Sequence, residues 1–561
     1  MILDKRPRAL IFAFFCLAAA LGGGARAAQV YPGCAVPPAT STGKIWWVDP
    51  VSGKTPAAGG LGTQAAPWDS LNGVISGRWG TAGYSVPGYT RPLLSSVPYF
   101  HIAGGKRVDV ADDLGSPPVR PGDTIKLMSG DYGDIGLGDY MLPIVNSDWI
   151  TIEAAPGQTP VFSTLYIRST NKWVFKGIKV QSLYRAPVNS GALVTIGDQG
   201  AAYPTADIIF DSTQLSSVDD ASTWTLAQWG QARSGLRVVG SPGAGTNGEP
   251  YTTCISMTGS HLHNVRTGAV LAANNLLFSH NELDHFGDDG IDYAANNLAI
   301  THNYIHDNFD AGDGNHEDAM QGQIGPILRG VPYNAFSNIL IDSNLVIRQT
   351  DPKLAFPTYL QGIDAFDEDW TNLTVTNNVV TTSACWGIGY ASVHGGKIIN
   401  NTVVDDGTGA GTKNPAGNVM CRPDTTVGDR THEGPPSNDV IIRNNIGGNL
   451  GIYDPDPNMT MDHNICVTIA GKCNILRYVG AKQKWVSKPG EYADQNLVER
   501  KGASSMFVSL VPAKLVYDLR LKSGAPAIGF GNPAEAPPVD ISGAPRRSPI
   551  DAGAYQYSPG K

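Results

Sequence analysis

The chain has 561 residues, with 50 acidic side chains against 41 basic ones and a net charge of −9. That balance argues against a nucleic-acid partner, and it disfavours an anionic substrate unless a cation bridges the two. Charged residues make up 16 % and glycines number 66, which suits a turn-rich all-β protein of one repetitive domain rather than two or three packed ones.

Residues 1–27 read as a signal peptide: Lys5, Arg6 and Arg8, the apolar run Ala9–Leu21, then Ala25-Arg26-Ala27 as a cleavage site. No other stretch is long and apolar enough to span a bilayer, so a secreted or periplasmic location without stable membrane insertion is expected. Six cysteines would remain, Cys34, Cys254, Cys385, Cys421, Cys466 and Cys473. The close pair Cys466/Cys473 is the expected disulfide, and the other pairings stay open.

Residues 28–120 form an N-terminal cap segment, with a strand-like Lys44-Ile-Trp-Trp-Val-Asp49 and Pro67-Trp68-Asp69-Ser70-Leu71. From residue 121 to 500 the pattern is that of stacked coils. Early ones are Thr124-Ile-Lys-Leu127, Ile150-Thr-Ile-Glu153, Leu165-Tyr-Ile167 and Trp173–Val180. Between residues 278 and 466 one phrase recurs seven times: an apolar residue, two spacers, Asn, one spacer, an apolar residue. Its asparagines are Asn281, Asn303, Asn344, Asn378, Asn401, Asn444 and Asn464, and Ser260 takes the same place in an eighth copy. The nearest copies lie 20 to 23 residues apart. A fixed period of this length means a solenoid, and apolar alternation makes it a β-solenoid. The asparagines are expected at turns, in left-handed conformation, hydrogen-bonding from coil to coil. Residues 501–561 form a C-terminal cap or tail. The fold class is all-β: a single-stranded right-handed parallel β-helix with long loop inserts and capped ends.

A second set of strands stacks by eye: Gly268–Ala272, Gly290–Ala294, Ala319–Gly322, Gly362–Phe366 and Gly387–Ala391. If Ile291, Met320 and Ile363 point inward, Asp292, Gln321 and Asp364 point outward in one column. Asp289, Asp318 and Gln361 share the next level, with Asp288 and Glu317 beside them. Leu271 and Gly389 are expected to flank the Asp292 level. A solvated face scatters its charges, whereas here the acids gather on three consecutive coils, so a functional site is expected there. Tyr293, Tyr359, Phe366, Trp370, Trp386 and Tyr390 lie near enough in sequence to stack on sugar rings, although Tyr293 and Tyr390 alternate inward.

The order of segments at 44–180, and the closing Leu519-Arg-Leu521, Ser523–Ile528, Val539-Asp-Ile541, Arg546 and Ile550–Tyr555, resemble secreted pectate-lyase-like β-helix proteins. Gly287-Asp288-Asp289-Gly290-Ile291-Asp292 resembles the Asp-Asp-Gly-x-Asp phrase of family 9 polysaccharide lyases. The resemblance implies calcium held by Asp288, Asp289 and Asp292, a cation that takes clustered carboxylates. It also implies β-elimination, in which the metal neutralises a uronate carboxylate, a base takes the adjacent proton and the 4-linked sugar leaves. The family's basic Lys is missing, since no Lys occurs between Lys179 and Lys353. The candidate bases are therefore His316, Arg348, Lys353 and Arg329, with His285 and His306 as weaker ones. Asp318 and Asp364 complete the catalytic set, and Gln321, Glu317 and Gln361 are expected to bind substrate.

The expected partner is an extracellular acidic polysaccharide, bound by a monomer in a groove walled by inserts at 324–336, 350–360 and 405–417. Three other functions fit the same residues. They are hydrolysis by paired aspartates, uronate C5-epimerisation, and carbohydrate binding without catalysis.

Overall fold

A computed structural model describes residues 29–39, 43–76, 92–97, 100–103, 106–109, 117–138, 143–182, 191–240, 251–310, 316–323, 335–354, 356, 358, 360–365, 368–382, 386–405, 424–428, 435–448, 450–453, 458–467, 475–479, 484–486 and 495–559. The expected signal peptide, Arg329, Cys385, Cys421, Cys473, Tyr359 and Phe366 lie outside them.

Every third strand pairs with its counterpart one coil on, which among the described residues builds three long sheets of 14, 13 and 13 strands, parallel except for the closing pair Ile475–Val479 and Lys484–Val486. One coil is Asn274–Ser279, Glu282–Phe286 and Ile291–Tyr293; the next is Leu298–Thr301, Tyr304–Asn308 and Glu317–Gln321. The chain is a right-handed parallel β-helix, the hand that twisted parallel strands favour. Alternation sets the register, because a one-residue slip would turn every apolar side chain outward. Phe278, Ile300, Ile341, Val375 and Ile398 stack along one inner edge, and Leu283, Ile305, Val346 and Val380 along another, each at most 1 % exposed. Burying each such side chain contributes about 1.5–3 kcal/mol. The stack begins at Ile45–Val48, paired with Thr124–Leu127. Helix Leu71–Ser76 adds Leu71, Val74 and Ile75 to the same core.

The asparagine ladder is present. Asn344 Nδ2 donates to Asn378 Oδ1 at 3.0 Å and to the Ile300 carbonyl at 2.9 Å. Its own Oδ1 accepts from the backbone and side chain of Asn303, both at 2.9 Å. A buried amide is thereby fully satisfied on each coil. Three details differ from the sequence expectation. The left-handed residue is the one before the asparagine: His280, His302, Ser343, Asn377, Asn400 and His463 all have φ between 54° and 57°. The rung expected at Asn444 is filled by Asn445, which pairs with Asn401 and Asn464, while Asn444 itself takes the left-handed turn. The doublet Asn444-Asn445 allowed either reading by spacing alone. Asn496 adds a further rung beyond Asn464. A second, outer ladder joins Asn275, Asn297, Asn338 and Asn372, which are themselves left-handed.

The corner between the second and third sheets carries long connections that include residues 217–233, 309–310 and 348–354. Trp229, Phe309, Leu354 and Phe356 pack together and fasten three of them to one another. The tail covers a flank of the helix. Phe507, Tyr517, Leu519, Ile541 and Ala554 pack on Leu345, Ile347, Val379 and Val404, the outward side chains of the second sheet. Cys34 is bonded to Cys254, a pairing that the sequence left open. Cys466 is also disulfide-bonded.

Candidate active site

The acidic column forms on the outer face of the third sheet. Asp292 is in register with Gln321, and Gln321 with Asp364 and then Gly389. Ile291, Met320 and Ile363 point into the core, fully buried. Asp318 is in register with Gln361, and the Asp318 N–H donates to Asp289 Oδ1 at 2.8 Å, so these three share a level as expected. Gly290 lets the coils close up at this corner, since a Cβ there would stand 2.5 Å from the Ala319 carbonyl oxygen. One flank differs: the residue beside Asp292 on the preceding coil is Val270, because Leu271 aligns with Tyr293. Tyr293, Tyr390 and Trp370 are core residues, fully buried, and offer no face to a sugar.

Burial and like charge act together on these acids. Burial pushes Asp289 well above the usual carboxylate range, and Asp292, Asp318 and Asp288 push it further. Burial and then Asp288 raise Asp292 to about 7. Burial raises Asp318 to about 8, with Asp292 and Asp288 adding to it against a hydrogen bond from Asp364. Asp292 Oδ1, Asp318 Oδ1 and Gln361 Oε1 are buried with no hydrogen-bond partner among the described residues. Glu317 and Asp364 are buried alongside. Asp288 differs from the rest, since its carboxylate meets Arg266 at 3.3 Å and Thr267 at 3.3 Å.

Of the candidate bases among the described residues, His316 contacts the cluster. Its Nδ1 lies 2.7 Å from Asp318 Oδ2, and its side chain is about half exposed. Arg348 is buried at the same corner, where its guanidinium meets Thr358. Lys353 is exposed on the insert at 350–354. That insert is pinned by Asp307, which accepts from the N–H groups of Thr350 and Asp351 at 2.6 and 2.7 Å. His285 and His306 lie on the second sheet, across the corner from the acids.

Two features escaped the sequence reading. Arg237 occupies the Asp292 column two coils earlier, in register through Val270, and its charge acts on Asp292. The coil spacing across 217–233 hid that alignment. The second is a histidine–carboxylate group on the second sheet. His261, His263 and Asp284, and likewise Glu282, Asp284 and His306, bring one ligand atom each within 4.8 Å of one another. Among the described residues, no three acids of the third sheet converge so closely.

The described residues form a right-handed parallel β-helix with a carboxylate column on one outer face. The family model for the right-handed beta helix region matches residues 242–419, the stretch that contains this column. No curated protein matches the sequence. Among solved structures, the pectate lyase Pel9A is similar at 13 % identity, with 92 % of this chain and 97 % of that one covered and a TM-score of 0.37. A family 6 polysaccharide lyase from Pseudopedobacter saltans is similar at 14 % identity, with 68 % and 88 % covered and a TM-score of 0.36. A family 136 lacto-N-biosidase from Eubacterium ramulus is similar at 11 % identity, with 74 % and 68 % covered and a TM-score of 0.36. These likenesses assign neither substrate nor reaction to this chain. No helix among the described residues is long and apolar enough to cross a membrane.

Proposed function

We propose that the protein is a secreted enzyme that cleaves an acidic, uronate-containing polysaccharide by cation-assisted β-elimination at the third-sheet carboxylates. The observation that carries this reading is the packing of Asp289, Asp292 and Asp318 on two adjacent coils, Asp289 and Asp318 buried and Asp292 half-buried, with Asp292 Oδ1 and Asp318 Oδ1 left without a hydrogen-bond partner among the described residues. The donors are all oxygen and mutually repelling, which suits a hard divalent cation such as calcium. Asp289 and Asp292 would hold it, with Asp288 at the rim shared with Arg266. The fit rests on donor chemistry rather than on a preformed cage. A bound cation would neutralise the uronate carboxylate and acidify the proton beside it.

The remaining chemistry falls to this chain's own groups. Once ionised, as pH rises through about 8, Asp318 accepts from His316 Nδ1–H, which fixes the tautomer and leaves Nε2 as the basic nitrogen. His316 takes the C5 proton, the electron pair forms the C4–C5 double bond, and the 4-linked sugar leaves with the bridging oxygen. Arg237, in the Asp292 column, offers a second uronate its positive charge. Lys353 plays no part, and Arg348 supports the corner through Thr358.

A second reading, hydrolysis, is favoured by Asp318 alone. A carboxyl raised to about 8 and hydrogen-bonded to Asp364 has the makings of a general acid. The deciding test is turnover on a panel of acidic polysaccharides, with calcium and with chelator. Ultraviolet absorbance from unsaturated uronate that vanishes with chelator supports elimination. New reducing ends without absorbance sink it in favour of hydrolysis.

A further inference from the structure

On the outer face of the second sheet, histidines gather on neighbouring coils. His261 is in register with Glu282 and Tyr304, and His263 with Asp284 and His306. Four of the chain's 11 histidines, His261, His263, His285 and His306, fall within this patch. Asp284 lies at its centre, 8 % exposed. His261 Nε2 stands 2.7 Å from Asp284 Oδ2, while His263 Nδ1 and, at 2.7 Å, His285 Nδ1 both face Oδ1. Three imidazole nitrogens thus converge on one carboxylate.

We propose that His261 Nε2, His263 Nδ1 and the Asp284 carboxylate bind a first-row divalent transition-metal ion, with zinc the best match. The three ligand atoms already lie within 4.8 Å of one another, the spacing that ligands around one small ion adopt. Two imidazoles and a carboxylate make a borderline-soft donor set, which selects zinc, copper or nickel over calcium. Access is open: the His261 and His263 side chains are 39 % and 27 % exposed. Among the described residues the tail packs on this face at Leu345, Ile347 and beyond, with Tyr304 at its margin. His285 Nδ1 holds the carboxylate from behind and orients it, as outer partners of metal ligands do. Three protein ligands leave a fourth position for water or a substrate oxygen. The ion joins the coil of His261 and His263 to the coil of Asp284. The site is separate from the third-sheet acids and stands or falls without them.

The test uses the chelator-treated mature protein, titrated with cobalt and followed by its visible absorption, then with zinc as competitor. One cobalt per chain, displaced by zinc, is expected. His261→Gln and His263→Ala should each weaken binding more than ~10-fold, whereas Asp292→Ala should leave it intact. Zinc should also raise the melting temperature of the wild type above that of its own metal-free form, and should not do so for the two histidine variants. Cobalt binding that survives both histidine substitutions, or that Asp292→Ala abolishes, overturns the proposal. So does the absence of binding to the folded wild type. Failure here leaves the calcium dependence of turnover untouched, so the two readings are told apart.

Discussion

The two faces that meet after Phe286 solve opposite electrostatic problems. On the second sheet the buried acids Asp284 and Asp307 each have a histidine partner. Burial would raise Asp307, but the hydrogen bond and charge of His306 hold it at about 2. Burial would lower His306, but Asp307 and Glu282 keep it at about 9. On the third sheet, one short turn away, acids are stacked on acids, and Asp292 and Asp318 are driven to about 7 and 8. The first face is neutralised from within. The second needs protons or a cation from outside.

The contrast breaks most visibly in catalysis. His316→Ala should lower turnover by ~10²–10⁴-fold, the usual worth of a general base, with substrate affinity far less affected. Steady-state kinetics on the responsive polysaccharide checks it, and unchanged turnover would move the base to Arg348. Next in size is Asp284→Ala, which strips the second face of its central anion. With its histidines left unpaired, that variant should lose about 3 kcal/mol of stability by denaturant titration. The third face should behave the other way. In chelator, Asp318→Asn is expected to gain about 1 kcal/mol at pH 8.

The sign follows from the folded values. Asp292 and Asp318 hold protons in the native state that the unfolded chain releases near pH 4. Their contribution is therefore complete below that value and is lost as pH rises through about 7 and 8. His306 contributes below about 6.5 and loses its contribution as pH rises through about 9. Asp307 contributes above about 4 and loses its contribution as pH falls through about 2. Melting temperatures measured from pH 5 to pH 8 in chelator, on wild type and Asp318→Asn, should separate steadily from pH 5 and stand furthest apart at pH 8; parallel curves would remove the contrast. Lys353→Ala should do least, shifting stability by less than ~0.5 kcal/mol and turnover by less than about twofold.

The coil pattern was legible in the sequence because each coil repeats the same physical problem. Apolar residues must alternate inward, and each turn needs a satisfied amide, so Asn281 to Asn401 announce their own stacking. The column of Asp292, Gln321 and Asp364 was legible for the same reason, once Ile291, Met320 and Ile363 fixed the inward phase. The rung at Asn445 was not, because two adjacent asparagines leave the phase open until the pairing of Ile398 with Ile442 decides it. Arg237 was hidden by an excursion of irregular length. His261 is the spacer after Ser260, and His263, His285 and His306 lie just past the recurring phrase, at positions where periodicity says only that a side chain points outward. Which outward residues meet depends on cross-coil register, and that appears only when coils are laid against one another.

The tail has a consequence for how the molecule opens. A bare solenoid holds each coil only by its neighbours and can fray from an end, one rung at a time. Here Asn400 Nδ2 donates to the carbonyls of Asp551 and Gly553. The Gly553 N–H donates to Asn444, and Arg546 reaches Asn377. One strap thus grips rungs from residue 377 to residue 444. Those rungs cannot unzip singly, so amide hydrogen exchange across them should be lost together, as one cooperative unit, when the strap lifts.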